Sequence, residues 1–388
     1  MVPPKLLIIC SCSFLSQGNP GLLGYYPHFL SHLHSLLPPS HAILATSHIG
    51  HSTRVPGPTV PLSLSQQVAS KVELVEAIRG YLDDWALKEG QNKPKFSLMG
   101  HSVGAYMACE VMKEVNTEKA RSVCAGYLLF PTLGWIADTW NGWTLWPIFH
   151  RPVKPLLPYL SPLLRPLFSL VNLPETSQSL LLSPAILKDV LSLSSDEMRQ
   201  IRELDTEWFK AQGTDQAGES EGLFGVWTKG NGDGWVGKDG PLVQECLGGE
   251  ISGRVKVLDG VPHAFCLTRE HSEMVAGIVA RWICPNGFRP ETPSVPAEKP
   301  HHPLGSNIVP IRSTQPPFLL RAALSPPSPL VIDLQSAMPV KTSSVGASAG
   351  EMRCMDMLHD STAEDDLGGL PGVGGVAVKG RRRDLEEL

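Results

Sequence analysis

Ser102 stands between two glycines, Gly100 and Gly104, in the stretch FSLMGHSVGAY that runs from Phe96 to Tyr106. A serine at the centre of G-x-S-x-G is suited to nucleophilic attack when it sits on a strand-to-helix turn with strained backbone angles. The flanking residues predict that turn. Phe96 to Met99 form an apolar run of the kind that ends a buried strand, and Val103, Met107 and Val111 recur at helical spacing beyond it. Glycine on either side removes the side chains that such a tight turn cannot accommodate.

A serine hydroxyl is a weak nucleophile at neutral pH, so the chemistry requires a base within hydrogen-bond reach. That base, usually a histidine, requires a carboxylate to hold its tautomer and stabilise the imidazolium. His263 follows the apolar segment RVKVLDGV and precedes the last helical pattern, which makes it the best-placed base. The other histidines fit less well. His101 belongs to the turn itself, His28, His32 and His34 lie on an early helix, His150 lies in a Pro-rich segment, and His301, His302 and His359 lie in the C-terminal stretch. Asp233, in the loop after LFGVWT, is the preferred acid; Asp239 deeper in that loop and Asp259 just before His263 compete with it. Asp233 and His263 both fall at carboxyl ends of expected strands, where sites in open α/β sheets gather. A developing oxyanion requires backbone donors. The N–H of Val103, next to the nucleophile, is one candidate. The loop QGNPG offers Asn19 as the other, because Pro20 has no N–H.

These groups need a scaffold, and the pattern supplies a fold class. Residues 1–128 alternate strand-like and helix-like segments. KLLIIC reads as a first strand, although one lysine before an apolar run also fits a short signal peptide. YYPHFLSHLHSLL reads as a helix and HAILATS as a strand. A long amphipathic helix follows, with Ser63 and Gln66 at capping-box positions. KFSLMG and VCAGYLLFPT supply further strands. Such alternation specifies an α/β fold, a mostly parallel sheet with helices on both faces. The rhythm resumes over 221–286. Between the two halves, residues 129–220 read as an inserted lid. Three Trp (140, 143, 146) and seven Pro between 147 and 174 make this region too interrupted for one long helix. Residues 287–388 have the Pro, Ser, Gly and Ala bias of a disordered tail.

The net charge of -5 gives no electrostatic case for nucleic acid. The eight cysteines are scattered without paired metal-ligand spacing, and are expected to be reduced thiols in a cytosol-facing protein. Neither a metal nor an organic cofactor is required by the chemistry. No segment is both long and apolar enough for a transmembrane helix.

GNPGLLGYYPHFLSHL, SLSQQVASKVELVEAI, FSLMGHSVGAYMACEVMK, LLFPTLGWIADTWNG, GDGWV and HAF occur in this order. Together, over roughly residues 5–285, they resemble the lipid droplet-associated hydrolase family, a branch of the α/β-hydrolase superfamily. The resemblance implies an α/β-hydrolase fold with an inserted hydrophobic lid and a triad on Ser102, Asp233 and His263. It also implies association with lipid droplets and the endoplasmic reticulum membrane through the lid, here residues 139–172. The expected activity is hydrolysis of lipid or sterol carboxylic esters, with a role in lipid storage and turnover. One departure stands out: CSCSFLSQ separates the LLII run from Gly18, where the family's first strand leads directly into its Gly-Asn-Pro-Gly-type loop. Two other readings stay open at this level: a droplet-surface or scaffolding protein with weak or vestigial hydrolase activity, and a soluble esterase that never meets a droplet.

Overall fold

The computed structural model describes residues 11–53, 55–116, 122–168, 173–213 and 221–285. In chain order the strands are β1 (Ser11–Ser16), β2 (His41–Thr46), β3 (Lys95–His101), β4 (Ala125–Leu129), β5 (Gly222–Thr228) and β6 (Val255–Leu258). The helices are α1 (Pro27–Leu36), α2 (Leu64–Lys88), α3 (Val103–Val115), α4 (Trp140–Leu145), α5 (Val153–Leu160), α6 (Arg165–Phe168), α7 (Glu175–Leu181), α8 (Pro184–Gln200), α9 (Thr206–Gly213), α10 (Asp239–Cys246) and α11 (Arg269–Ile283).

All six strands are parallel, in the order β2-β1-β3-β4-β5-β6. Successive residues of a strand face opposite sides, so a sheet covered on both faces needs apolar residues at consecutive positions. The pairs Phe14–Leu15, Leu98–Met99 and Leu128–Leu129 meet that need. Leu15, Met99 and Leu129 pack with Phe29 and Leu33 of α1 and Val275 and Val279 of α11. Phe14, Leu98 and Leu128 pack with Leu74 and Ile78 of α2, Ala105 and Val111 of α3 and Val243 of α10. The capping box legible at Ser63 and Gln66 is formed, each side chain bonding the other residue's backbone N–H.

The first strand is described from Ser11 onward. The described strand is Ser11–Ser16, and it leads through Gln17 into Gly18. The apparent departure CSCSFLSQ is therefore largely the strand itself, while the KLLIIC segment lies outside the described residues. Polarity disguised it. Ser13 is fully buried, yet its hydroxyl is satisfied across the sheet by His41 Nε2 at 3.0 Å and Ser97 Oγ at 2.8 Å. The expected C-terminal tail also lies outside the described residues.

Between β4 and β5 the chain forms α4 to α9. Ile136, Phe149, Leu187, Leu191 and Met198 pack on Val103 and Met107, over the first turns of α3. The end of this region behaves differently: Phe209 of α9 joins the core beside α10. No described helix is long and apolar enough to cross a membrane.

Candidate active site

β3 passes into α3 through a single residue, Ser102, with φ 54° and ψ −125°. A non-glycine residue held there stores on the order of 1–3 kcal/mol of strain, which the surroundings must sustain. The Ser102 N–H donates to the Leu129 carbonyl at 3.0 Å, and its carbonyl accepts the Ala105 N–H at 2.9 Å. A side chain at Gly100 would strike the backbone of Gly104 and Ala105, and one at Gly104 would strike the carbonyls of Ser16 and Gln17. The two glycines thus allow the elbow to lie against the end of β1.

His263 lies in the turn between β6 and α11, and Asp233 in the loop after β5. Thr228 Oγ1, at the end of β5, donates to the Val261 carbonyl at 2.7 Å and ties these two loops together. The structure brings Ser102, Asp233 and His263 into one hydrogen-bonded line. His263 Nδ1 is 2.6 Å from Asp233 Oδ2, and His263 Nε2 is 2.9 Å from Ser102 Oγ. A carboxylate only accepts, so Nδ1 carries the proton, and the neutral ring offers Nε2 as acceptor to the serine O–H. Asp233 is buried, and its second oxygen accepts the Trp235 N–H at 2.9 Å. This arrangement can activate a serine hydroxyl.

The competing acids stand elsewhere. Asp239 is buried at the start of α10, where its carboxylate accepts the N–H groups of Leu133 at 3.1 Å and Gly237 at 2.9 Å. Asp259 is exposed, 3.9 Å from Lys229 Nζ. His28, His32 and His34 lie on α1, and His150 donates to the Trp146 carbonyl at 2.7 Å.

Val103 occupies the first position of α3, where a helix N–H has no partner within its own helix. The β1–α1 loop meets the nucleophile at Gly18: a Cβ there would lie 2.8 Å from Ser102 Cβ. The loop turns tightly, with Gly21 N–H donating to the Gly18 carbonyl at 2.5 Å and a cis Asn19–Pro20 peptide. The Asn19 side chain points to α8, where its Nδ2 meets Glu197 Oε1 at 2.8 Å, Ser194 Oγ at 2.8 Å and the Val190 carbonyl at 3.3 Å. Burial pushes the Glu197 carboxyl up to about 8, with nearby Asp196 adding to the shift and the Asn19 bond opposing it. Sequence reasoning named Asn19 for its backbone and passed over Glu197. The spacing 190, 194, 197 does mark one face of a helix, but nothing local shows what that face meets.

Among the described residues no group of three or more His, Cys, Asp or Glu side chains is arranged to hold a metal ion. Similar solved structures include the RedJ thioesterase of the prodiginine pathway in Streptomyces coelicolor. It is 11% identical, with a TM-score of 0.43 over 70% of this chain and 85% of that one. Another is a hydrolase from Pseudomonas aeruginosa, 14% identical, with a TM-score of 0.40 over 70% and 89%. Among relatives by sequence, the lipid droplet-associated hydrolase of Mus musculus is 29% identical over 72% of this chain and 85% of its own length. The Homo sapiens protein of that name is 27% identical over 53% of this chain and 66% of its own length. The family model for lipid-droplet associated hydrolases matches residues 11–266, which include the strand β1, the elbow and the His263 turn. The chain belongs to the lipid-droplet associated hydrolase family and has the α/β-hydrolase fold.

Proposed function

We propose that the chain is a serine hydrolase of carboxylic esters with apolar acyl or sterol parts, working at the surface of lipid droplets. The observation that carries the reading is the bonded line Asp233–His263–Ser102 on a strained elbow. Ser102 Oγ attacks the ester carbonyl carbon as His263 Nε2 takes its proton. The carbonyl oxygen becomes an oxyanion facing the N–H groups of Val103 and Asn19. His263 then protonates the departing alcohol oxygen and leaves an acyl-serine. Water attacks that ester and gives a proton to His263; the acid departs and the serine regains its hydrogen. Asp233 stays ionised throughout and orients the ring.

The droplet part of the reading rests on residues 139–172. Trp140, Trp143, Trp146, Leu156, Tyr159, Leu160 and Leu163 are each more than half exposed. This stretch contains no Asp or Glu, whereas Arg151, Lys154 and Arg165 carry positive charge. Short helices presenting Trp and Leu beside cations suit a phospholipid monolayer without spanning it. In this reading the region from α4 to α8 is a lid that meets lipid on one side and the elbow on the other.

Labelling of the full chain with a fluorophosphonate probe tests the chemistry. Wild-type protein is expected to label, Ser102→Ala not at all, and His263→Ala at least ~10³-fold more slowly. A folded wild type that does not label, yet floats with phospholipid-coated triolein droplets, would instead be a droplet-surface protein.

A further inference from the structure

His101, the x that precedes the serine in G-x-S-x-G, meets both the β1–α1 loop and the His263 turn. Its Nε2 lies 3.0 Å from the main-chain carbonyl of His263. A carbonyl only accepts, so Nε2 carries the proton. A neutral imidazole holds one N–H, which leaves Nδ1 as an acceptor. The Tyr26 hydroxyl, 2.6 Å away, donates to it. The Tyr26 oxygen accepts the Gly18 N–H at 3.2 Å. Each direction is fixed by its neighbour: Gly18 gives to Tyr26, Tyr26 to His101, and His101 to His263.

Packing keeps the line in place. Tyr26 and His101 are both buried. The His101 ring meets Phe130 and Phe265 edge-on, and its centroid lies 5.2 Å from that of His263. Gly18 has no side chain to separate its loop from the ring: a Cβ there would lie 3.0 Å from His101 Nδ1. Burial, reinforced by repulsion from His263, pushes the His101 ring down to about 3, so it stays neutral when the neighbouring base gains its proton.

We propose that Tyr26 and His101 are positioning residues whose hydrogen-bonded line sets the spacing between the oxyanion loop at Gly18 and the base at His263. The proposal deepens the hydrolase reading above and rests on it. Neither side chain touches substrate; they act through the two loops they join. A shift of either loop by a fraction of an ångström would misplace the oxyanion donor or the base relative to Ser102 Oγ while leaving substrate contacts elsewhere intact.

The experiment uses the full chain with a soluble short-chain ester and the fluorophosphonate probe. Tyr26→Phe is expected to lower kcat and the labelling rate ~10- to 100-fold, with KM changed less than about threefold. His101→Gln, which retains an N–H near the Nε2 position, is expected to keep more activity than His101→Ala. Nitrogen-15 NMR of histidine-labelled wild type is expected to show His101 as the neutral Nε2–H tautomer across the whole pH range of activity. Tyr26→Phe should move the His101 signal. A folded Tyr26→Phe with kcat within about twofold of wild type overturns the proposal, as does a His101 that carries its proton on Nδ1 or titrates with His263. If wild type fails to label at Ser102, the hydrolase reading has failed; the NMR outcome still decides whether the line exists.

Discussion

α3 and the stretch from α4 to α6 are both rich in apolar residues, and they treat them in opposite ways. In α3 the apolar side chains Val103, Ala105, Met107, Ala108, Val111 and Met112 are all essentially buried. From Trp140 to Leu163 the large apolar side chains mostly face outward. The difference follows from chain architecture. α3 runs uninterrupted for 13 residues and packs against both the sheet and the helices that follow β4, so most of its surface is covered. Prolines at 147, 152 and 162 stand at the starts of short helical segments, and Pro155 and Pro158 lie within α5, so the other stretch does not form one long helix. Large apolar side chains left in water gain nothing for the fold, unlike those buried in α3. Apolar content in the first region serves folding; in the second it is available for binding.

The largest expected effects lie on the buried side. Asp233→Asn should lower kcat by ~10³- to 10⁴-fold, because an amide does not fix the imidazole tautomer. Asp239→Asn should keep kcat near wild type and lower only the melting temperature. The reverse pattern would mean that Asp239 supplies the acid. Next come packing losses. Leu128→Ala, in the two-sided core, should cost about 2–5 kcal/mol in denaturant unfolding. The triple variant Trp140→Ser, Trp143→Ser, Trp146→Ser should cost no more than ~1.5 kcal/mol while greatly weakening flotation with triolein droplets. Equal stability losses would erase the contrast between the regions.

The smallest effect concerns the bond from Asn19 in the β1–α1 loop to Glu197 on α8. Glu197 has a raised pKa in the folded protein, about 8, so the folded state binds a proton that the unfolded chain has released. Stability from this group is therefore lost as pH rises, from above the ordinary carboxyl range through about pH 8. Wild type should lose about 1 kcal/mol between pH 7 and pH 9 that Glu197→Gln does not lose. Thermal melts of the two proteins across that interval measure the difference; parallel curves would show that Glu197 is ionised in the folded state.

Local features were the legible ones. The elbow announces itself because Gly100, Ser102 and Gly104 are neighbours, and the α2 cap because Ser63 and Gln66 are three residues apart. His263 and Asp233 could be named because each follows an apolar strand-like run. The strand character of Ser11–Ser16 is hidden in the sequence by polar residues, since the buried hydroxyl of Ser13 is satisfied by partners 28 and 84 positions away. Tyr26, His101 and Glu197 were missed for the same reason. Tyr26 meets His101 from 75 positions away, His101 meets His263 from 162 away and Glu197 meets Asn19 from 178 away, and a single sequence carries no mark of such contacts.

The chain from α4 to α9 leaves the sheet at the end of β4 and returns at the start of β5, and these two strands are immediate neighbours. The fold therefore senses this whole region as one long loop closing between adjacent points. For a flexible chain, closure entropy grows only logarithmically, each doubling of length adding about 0.6 kcal/mol. The stretch from α4 to α9 is therefore the part of the molecule whose length can change at least cost to the sheet. Strand order, elbow and facing loops need not move with such a change, because β4 and β5 pair directly with each other.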